Sequence, residues 1–412
     1  MTIPRSGFVV LLATIVIDVI GIGIMWPVLP MLVRELTGGS LASASAIYGW
    51  LVSLYSLMQF AFGPAMGALS DRFGRRAVIL LSLLGLTADY VILVFATDVW
   101  WIAAARTVGG ILGASLTTAY AYVADISPPE RRAQDFGLLG AAFGIAFAAG
   151  PFIGGVLGDF GTRVPFGAAA VMSGAAFAFA FFLLPESLAP EHRRPFRLIE
   201  ANPVGAFAFF RRYPVVIVLT TVVVLANLGE RLLESNWVLY GAYRYGWGPG
   251  EVGLSLAFFG VLYAFVQAFL VRIVVRRFGE ARTLVIGLVI GAASLVLFAF
   301  AVEGWMMYAV LVPYVLGWGN AGPAVQALTT RAVPPDKQGL LQGALASVGT
   351  LTGVVAPPVG ATLFAWFIAP GAPFLFPGVA FVLGAFLFLA ALGVTQGRRF
   401  REVVTVTAAP AG

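Results

Sequence analysis

Six ionisable residues interrupt long apolar stretches of the chain: Asp18, Asp89, Arg106, Glu230, Arg231 and Glu234. On insertion scales each costs about 2.5–3.5 kcal/mol near the centre of a bilayer, on the order of 15–20 kcal/mol for the set if unpaired. That is too much to be incidental. Two readings stand: the residues pair with one another, or they face a wet cavity and handle protons or substrate. A carboxyl in a cavity that opens to each side of a membrane in turn can load a proton on one side and release it on the other. Glu230 and Glu234 lie one helical turn apart on one face, where like-charge repulsion favours a proton on one of them, while Arg231 points elsewhere.

Other reactive chemistry is sparse. With no cysteine and one histidine, His192, the chain has no thiolate metal site, no disulfide framework, no cysteine nucleophile and no histidine relay. No nucleophile–base constellation, phosphate loop or metal-ligand spacing occurs, so neither an enzyme, a metal nor a cofactor is expected. The 412 residues are 60% hydrophobic and 11% charged, with a mean hydropathy of +0.94. This composition excludes a water-soluble chain and predicts a protein partnered by the lipid bilayer. The net charge of +6 follows membrane sidedness and implies no nucleic-acid partner.

The elements that must position these residues are apolar stretches of bilayer-crossing length. Twelve are predicted, over 7–33, 45–69, 77–96, 99–124, 134–157, 165–184, 213–240, 250–275, 281–301, 304–330, 338–367 and 374–395. The fold class is therefore all-α integral membrane. The first stretch is too long for a signal-peptide core and lacks a small-residue cleavage pattern, so it reads as a retained span. Of 25 Lys+Arg, Arg106 and Arg231 lie within spans, and Arg34, Arg163 and Arg244 lie on one side. The remainder lie on the other side, which predicts both termini in the cytoplasm. Trp50, Trp100, Trp101, Trp247, Trp305 and Trp366 gather near the external ends, where indoles prefer the headgroup layer.

The sequence also repeats itself. Pro128-Pro129-Glu130-Arg131 matches Pro334-Pro335-Asp336-Lys337, and Pro151 and Gly154 match Pro357 and Gly360, all at an offset of 206; Arg72-Phe73-Gly74 matches Arg277-Phe278-Gly279 at 205. A duplicated six-helix unit follows. The expected division is an N-terminal bundle over 1–184, a cytoplasmic connector over 185–212, a C-terminal bundle over 213–395 and a tail over 396–412. Parallel halves with a site between them near the midplane are the architecture of alternating-access transporters.

The loop between the second and third spans carries Gly67, Asp71, Arg72, Gly74, Arg75 and Arg76. Any cytoplasmic loop is basic, but basic character alone does not demand Asp71 and two glycines at these spacings. A carboxylate there can accept from a helix N-terminus while arginines bind C-terminal carbonyls, latching the loop in one conformation. In the fourth span Arg106, Gly110, Gly113 and Thr117 share a small, polar face. The fifth carries Gly137 and then Gly150-Pro151-Phe152-Ile153-Gly154-Gly155. Close helix packing explains such glycines by themselves. Polar or aromatic candidates for a substrate cavity are Gln59 in the first half and Asn227, Trp237, Tyr263 and Gln267 in the second. Trp318, Asn320 and Gln326 join them on the tenth span, where Gly317, Gly319, Gly322 and Pro323 permit bending. Each of these can equally be a packing residue.

These motifs resemble the major facilitator superfamily, and within it the drug/proton antiporter group. The 67–76 loop is similar to that superfamily's signature loop, and Gly137 with Gly150-Pro151-x-x-Gly154-Gly155 to its antiporter motif, although Ala146 stands where glycine is usual. Asp18-Val-Ile-Gly21-Ile-Gly23-Ile-Met-Trp-Pro27-Val-Leu-Pro30, Asp89-Tyr90, Arg106 and Val123-Ala124-Asp125 resemble the tetracycline resistance efflux family, as do Trp237-Val238-Leu239, Gln267-Ala268-Phe269, Gly279-Glu280 and Gln338–Gly343. The likeness runs along nearly the whole chain. It implies proton and charge coupling by Asp18, Asp89 and Arg106, and gating by the 67–76 loop with Asp125. Two positions depart: Gly291 stands where the family has an acid in the ninth span, and Tyr263 where it has a histidine in the eighth. Glu230 and Glu234 are then expected to replace the missing titratable groups. The implied function is proton-coupled export of a small lipophilic drug, tetracycline-like or multidrug, by a monomer in the bacterial inner membrane. A transporter of a native metabolite is the alternative, and a membrane enzyme or sensor finds no support.

Overall fold

The computed structural model describes residues 5–128, 130–195, 210, 214–334 and 337–402. Pro129, Pro335 and Asp336 of the repeat, most of the connector and the end of the tail lie outside the described residues. The helices are α1 (Arg5–Met25), α2 (Leu29–Leu36), α3 (Leu41–Phe73), α4 (Arg75–Val94), α5 (Val99–Leu112), α6 (Ser115–Ile126), α7 (Arg132–Gly158), α8 (Val164–Leu183), α9 (Pro214–Tyr245), α10 (Pro249–Phe265), α11 (Val271–Phe278), α12 (Glu280–Phe300), α13 (Gly304–Arg331), α14 (Gln338–Ile368) and α15 (Val379–Gln396). No strand occurs among them. Eleven spans are long and apolar enough to cross a membrane. The remaining one, α13, is 28 residues long and carries two internal prolines. Large apolar side chains such as Val171, Phe182 and Ile145 are exposed, as expected where lipid and not water is the solvent.

Three predicted spans prove to be discontinuous. The first breaks at Trp26-Pro27-Val28 between α1 and α2, because Pro27 has no N–H to continue the ladder. The fourth breaks at Gly113-Ala114, where the Ala114 N–H turns to the Leu112 carbonyl at 2.8 Å and faces the Ser82 hydroxyl at 3.4 Å. The eighth contains a π-turn, Val266–Leu270, between α10 and α11. The tenth, in contrast, remains one helix although its composition permits bending.

The chain divides into two compact units. The first comprises Met1–Ser40, Leu54–Pro203 and Trp247–Gly260, and the second Leu41–Ser53, Val204–Gly246 and Val261–Gly412. Two short segments thus pack across the repeat boundary read from sequence. The core of the first unit is aliphatic, with Leu11, Ile15, Val19, Ile79, Leu83 and Val123 among its fully buried members. In the second unit Tyr240, Phe298, Phe381, Tyr314 and Trp237 meet edge to face, with centroids 4.7–6.3 Å apart. Edge-to-face pairing suits the ring quadrupoles.

Proline inside a helix frees the carbonyl four residues earlier, and no water is at hand in a bilayer to take it up. In the second unit two such carbonyls receive side-chain donors. Pro358 frees Val354, whose oxygen accepts from the Ser53 hydroxyl at 2.6 Å. Pro323 frees Gly319, whose oxygen accepts from Gln267 Nε2 at 3.1 Å. The π-turn is where Gln267 sits. In the first unit the loop ends are tied by Glu35, which accepts from the Thr162 hydroxyl and from Arg163, both at 2.5 Å. Arg163 also donates to the Ala96 carbonyl at 3.0 Å. These partners, Thr162 first, hold the Glu35 carboxyl below its ordinary pKa.

Ser53→Ala should destabilise the protein by about 1–3 kcal/mol, because it leaves the Val354 carbonyl unsatisfied. Adding Pro358→Ala, which restores the backbone donor, should recover most of that loss; thermal unfolding in detergent reads both. A group with a depressed folded pKa contributes stability at higher pH and loses it as the group is protonated in acid. The stability gap between wild type and Glu35→Gln should therefore be constant above about pH 5 and vanish below about pH 3. Its size should be at most about 1 kcal/mol, since both partners are roughly 40% exposed and screened.

Candidate functional site

In the first unit the intramembrane charges partition by partner. Asp89 on α4 and Arg106 on α5 form a buried ion pair. The Arg106 guanidinium also lies over the Tyr55 ring, 5.4 Å from its centroid. Gly109, one turn beyond Arg106, is what allows this approach: a methyl group there would lie 2.9 Å from Asp89 Oδ2. Gln59 donates to the Tyr55 hydroxyl at 3.2 Å and to the Gly113 carbonyl at 3.4 Å, closing the network at the α5–α6 break. Asp18 on α1 is equally buried and has no cation beside it; its Oδ2 accepts from the Ser115 hydroxyl at 2.6 Å. Ser115 is the first residue of α6, so the break in the fourth span is what presents it.

In the second unit Arg231 does not point away from the acids as its position suggested. It pairs with Glu234 at 2.7 Å, three residues along α9. Glu230 lies beside the Trp318 indole. Among the described residues no salt bridge reaches it. Tyr263, one turn before Gln267, lies within electrostatic reach of Glu230. Asn320, buried on α13, donates to the Leu316 carbonyl at 2.7 Å. The other cavity candidates are dispersed. Trp237 belongs to the aromatic core at 5% exposure, Gln326 donates to Gln342 at 2.9 Å, and Asn227 is half-buried on α9.

The vacated acidic position has a physical occupant. A methyl group on Gly291 would lie 2.5 Å from Phe388 Cε1, and one on Gly229 would lie 2.8 Å from Phe388 Cδ2. Phe388 in turn meets Trp318 edge to face at 4.9 Å. A phenyl ring thus fills the space where an acid would stand, and the indole that packs on it also lies beside Glu230.

The loop joining α3 to α4 is held by a residue the sequence did not single out. Glu186, just past α8, accepts from the backbone N–H of Arg75 at 2.8 Å and of Arg76 at 3.3 Å, and from those of Ser187 and Leu188 at 3.0 Å. It therefore caps the N-terminus of α4, the role expected of Asp71. Gly74 makes room for it: its φ of 103° is the left-handed region, and a side chain there would collide with the Glu186 carboxylate. Asp71 binds Arg75 at 2.5 Å, and Arg75 reaches on to Asp125 at 3.0 Å. Arg76 donates to the Phe181 carbonyl in the last turn of α8 at 2.5 Å, as expected of an arginine at a helix C-terminus. Arg72 lies over the Phe73 ring at 5.0 Å, and Gly67 has open space around it.

The small residues of the fifth span have defined packing partners in the first unit. A methyl group at Gly150 would lie 2.7 Å from the Gly23 Cα, and one at Gly154 would run into the Ile24 carbonyl. A methyl group on Gly155 would lie 2.8 Å from the Gly253 Cα of α10, and one on Gly253 would lie 2.5 Å from the Pro151 carbonyl oxygen. Gly137 meets nothing within 4 Å. Close backbone approach thus accounts for the distal half of the motif and not for its start. Tyr55, Ser115, Glu186 and Phe388 escaped sequence reasoning because none is unusual for its element; Glu186, an acid two residues beyond an apolar span, offered the clearest signal.

The Major Facilitator Superfamily model matches residues 11–235 and 222–403. The tetracycline resistance protein, class C, of Escherichia coli is 41% identical over 389 residues, covering 94% of this chain and 96% of that protein. The class G protein of Vibrio anguillarum is 37% identical, covering 95% and 98%. Among solved structures, a bacterial homologue of the human lysosomal transporter Spinster superposes with a TM-score of 0.77 at 16% identity over the whole of both chains. The human organic anion transporter MFSD10 gives 0.69 at 21% over 96% of this chain and 100% of the other. The twelve helices, the match over both halves and these relatives show that the chain belongs to the tetracycline resistance efflux family of the major facilitator superfamily.

Proposed function

We propose that this protein is a proton-coupled antiporter that exports a tetracycline-class drug from the bacterial cytoplasm by alternating access. One observation carries the reading: Asp18 is buried against a neutral donor, the Ser115 hydroxyl, and Glu230 lies beside the Trp318 indole with no salt bridge reaching it among the described residues. A hydroxyl or indole tolerates both the charged and the protonated carboxyl, whereas an arginine favours the charged form. Asp18 and Glu230 are thus the acids free to load and release protons. Asp89 with Arg106, and Glu234 with Arg231, are paired charges that sense and balance them. This separates the roles of Glu230 and Glu234, which the sequence assigned together.

The names of the relatives favour a drug over a native metabolite as cargo. Tyr263, Gln267 and Trp318, beside Glu230, supply aromatic and amide contacts suited to a flat, polyhydroxylated ring system. The halves 1–184 and 213–395 rock as bundles, with the 67–76 loop, Asp125 and Glu186 setting one end state. Both termini lie on the cytoplasmic side of the inner membrane, and the monomer is the working unit.

Everted vesicles energised by respiration should accumulate tetracycline and release it when the proton gradient is collapsed. Asp18→Asn and Glu230→Gln should each lower that uptake by at least about tenfold, while Glu234→Gln should lower it less. Undiminished coupling in Glu230→Gln/Glu234→Gln would remove the second-unit acids from the mechanism. Gly291→Ala should lower thermal stability by about 1–3 kcal/mol through overpacking against Phe388. In a Phe388→Leu background the same change should cost much less; an equal cost in both backgrounds would show that Phe388 does not fill that space.

A further inference from the structure

Four of the buried polar atoms in the first unit that have no hydrogen-bond partner in the protein belong to the intramembrane charges and the tyrosine that follows Asp89: Asp18 Oδ1, Asp89 Oδ1, Arg106 Nε and the Tyr90 hydroxyl. All four residues are at most 3% exposed. Leaving such an atom unsatisfied in a bilayer interior is costly, and four lie on residues of three neighbouring helices. Tyr90 is the residue that spans them. It follows Asp89 on α4, and a methyl group on Gly21, one turn past Asp18 on α1, would lie 3.6 Å from its ring and 3.7 Å from its hydroxyl. Buried water commonly sits among two to four such groups.

We propose that Tyr90, through bound water, joins Asp18 to the Asp89–Arg106 pair and carries the protonation state of one to the other. The proposal rests on the proton-coupling reading above for its purpose, and not for its existence. A phenol has one donor and can accept at the same time. With Asp18 charged, its Oδ1 accepts from the Tyr90 hydroxyl through water. With Asp18 protonated, the carboxyl becomes the donor, and the Tyr90 hydroxyl turns its own donor towards Asp89 Oδ1. Asp89 then has a second donor in competition with Arg106. No proton leaves its group in this exchange; only the direction of the hydrogen bonds reverses. Ser115 keeps its hold on Asp18 Oδ2 in both states. Tyr55 lies on the Arg106 side of the pair, where its ring faces the guanidinium and its hydroxyl accepts from Gln59.

The test is an infrared titration of the full-length protein in lipid nanodiscs, following the Asp89 carboxyl band, which is identified by its loss in Asp89→Asn. With Tyr90 present, Asp18→Asn should move the midpoint of that band by about one pH unit; with Tyr90→Phe the same change should move it by less than about a third as much. Equal shifts in the two backgrounds overturn the link. Should Tyr90→Phe fold poorly, fluorinated tyrosine at position 90 keeps the ring shape and alters the hydroxyl, and an Asp89 midpoint unmoved by it overturns the link as well. Proton-driven uptake in everted vesicles is measured in parallel. A linked titration in a protein that shows no such uptake would support the link while defeating the antiport reading.

Discussion

The interior of a bilayer offers no water to complete a hydrogen bond, and this constraint governs the chain from its prolines to its charges. Where Pro358 and Pro323 remove backbone donors, Ser53 and Gln267 deliver side-chain replacements to the Val354 and Gly319 carbonyls. Where α5 and α6 part, the freed Ala114 N–H is taken up nearby and Ser115 is turned onto Asp18. Helix breaks and polar side chains thus occur together. The π-turn at Val266–Leu270 belongs to the same pattern, because it carries the residue that satisfies another helix.

The same constraint sorts the acids. An ion pair such as Asp89–Arg106 solves the problem of burial by holding both groups charged, which makes it a poor proton carrier by itself. A carboxyl facing a hydroxyl or an indole is less committed. Asp18 faces the Ser115 hydroxyl in that way, and Glu230, beside Trp318, has no salt bridge among the described residues. Phe388 fills the space over Gly291 on α12.

Outside the spans, the α3–α4 loop shows how one carboxylate organises a basic segment. Glu186 collects four backbone donors, which leaves Asp71 free to bind Arg75 and Arg75 free to bridge to Asp125. The positive φ at Gly74 and the lack of a side chain there serve that one approach.

Much of this was legible in the amino-acid order alone. The number of spans and the expensive charges follow from hydropathy, because lipid imposes that pattern locally, segment by segment. The antiporter motif and the signature loop were readable for the same reason. Partnership was not. That Arg231 turns to Glu234, that Glu186 and not Asp71 caps α4, and that Gln267 serves a backbone carbonyl all depend on which helices pack together. A hydrogen bond is decided within a few tenths of an ångström, whereas residue spacing along a helix specifies only a face, so the choice of partner belongs to the tertiary structure.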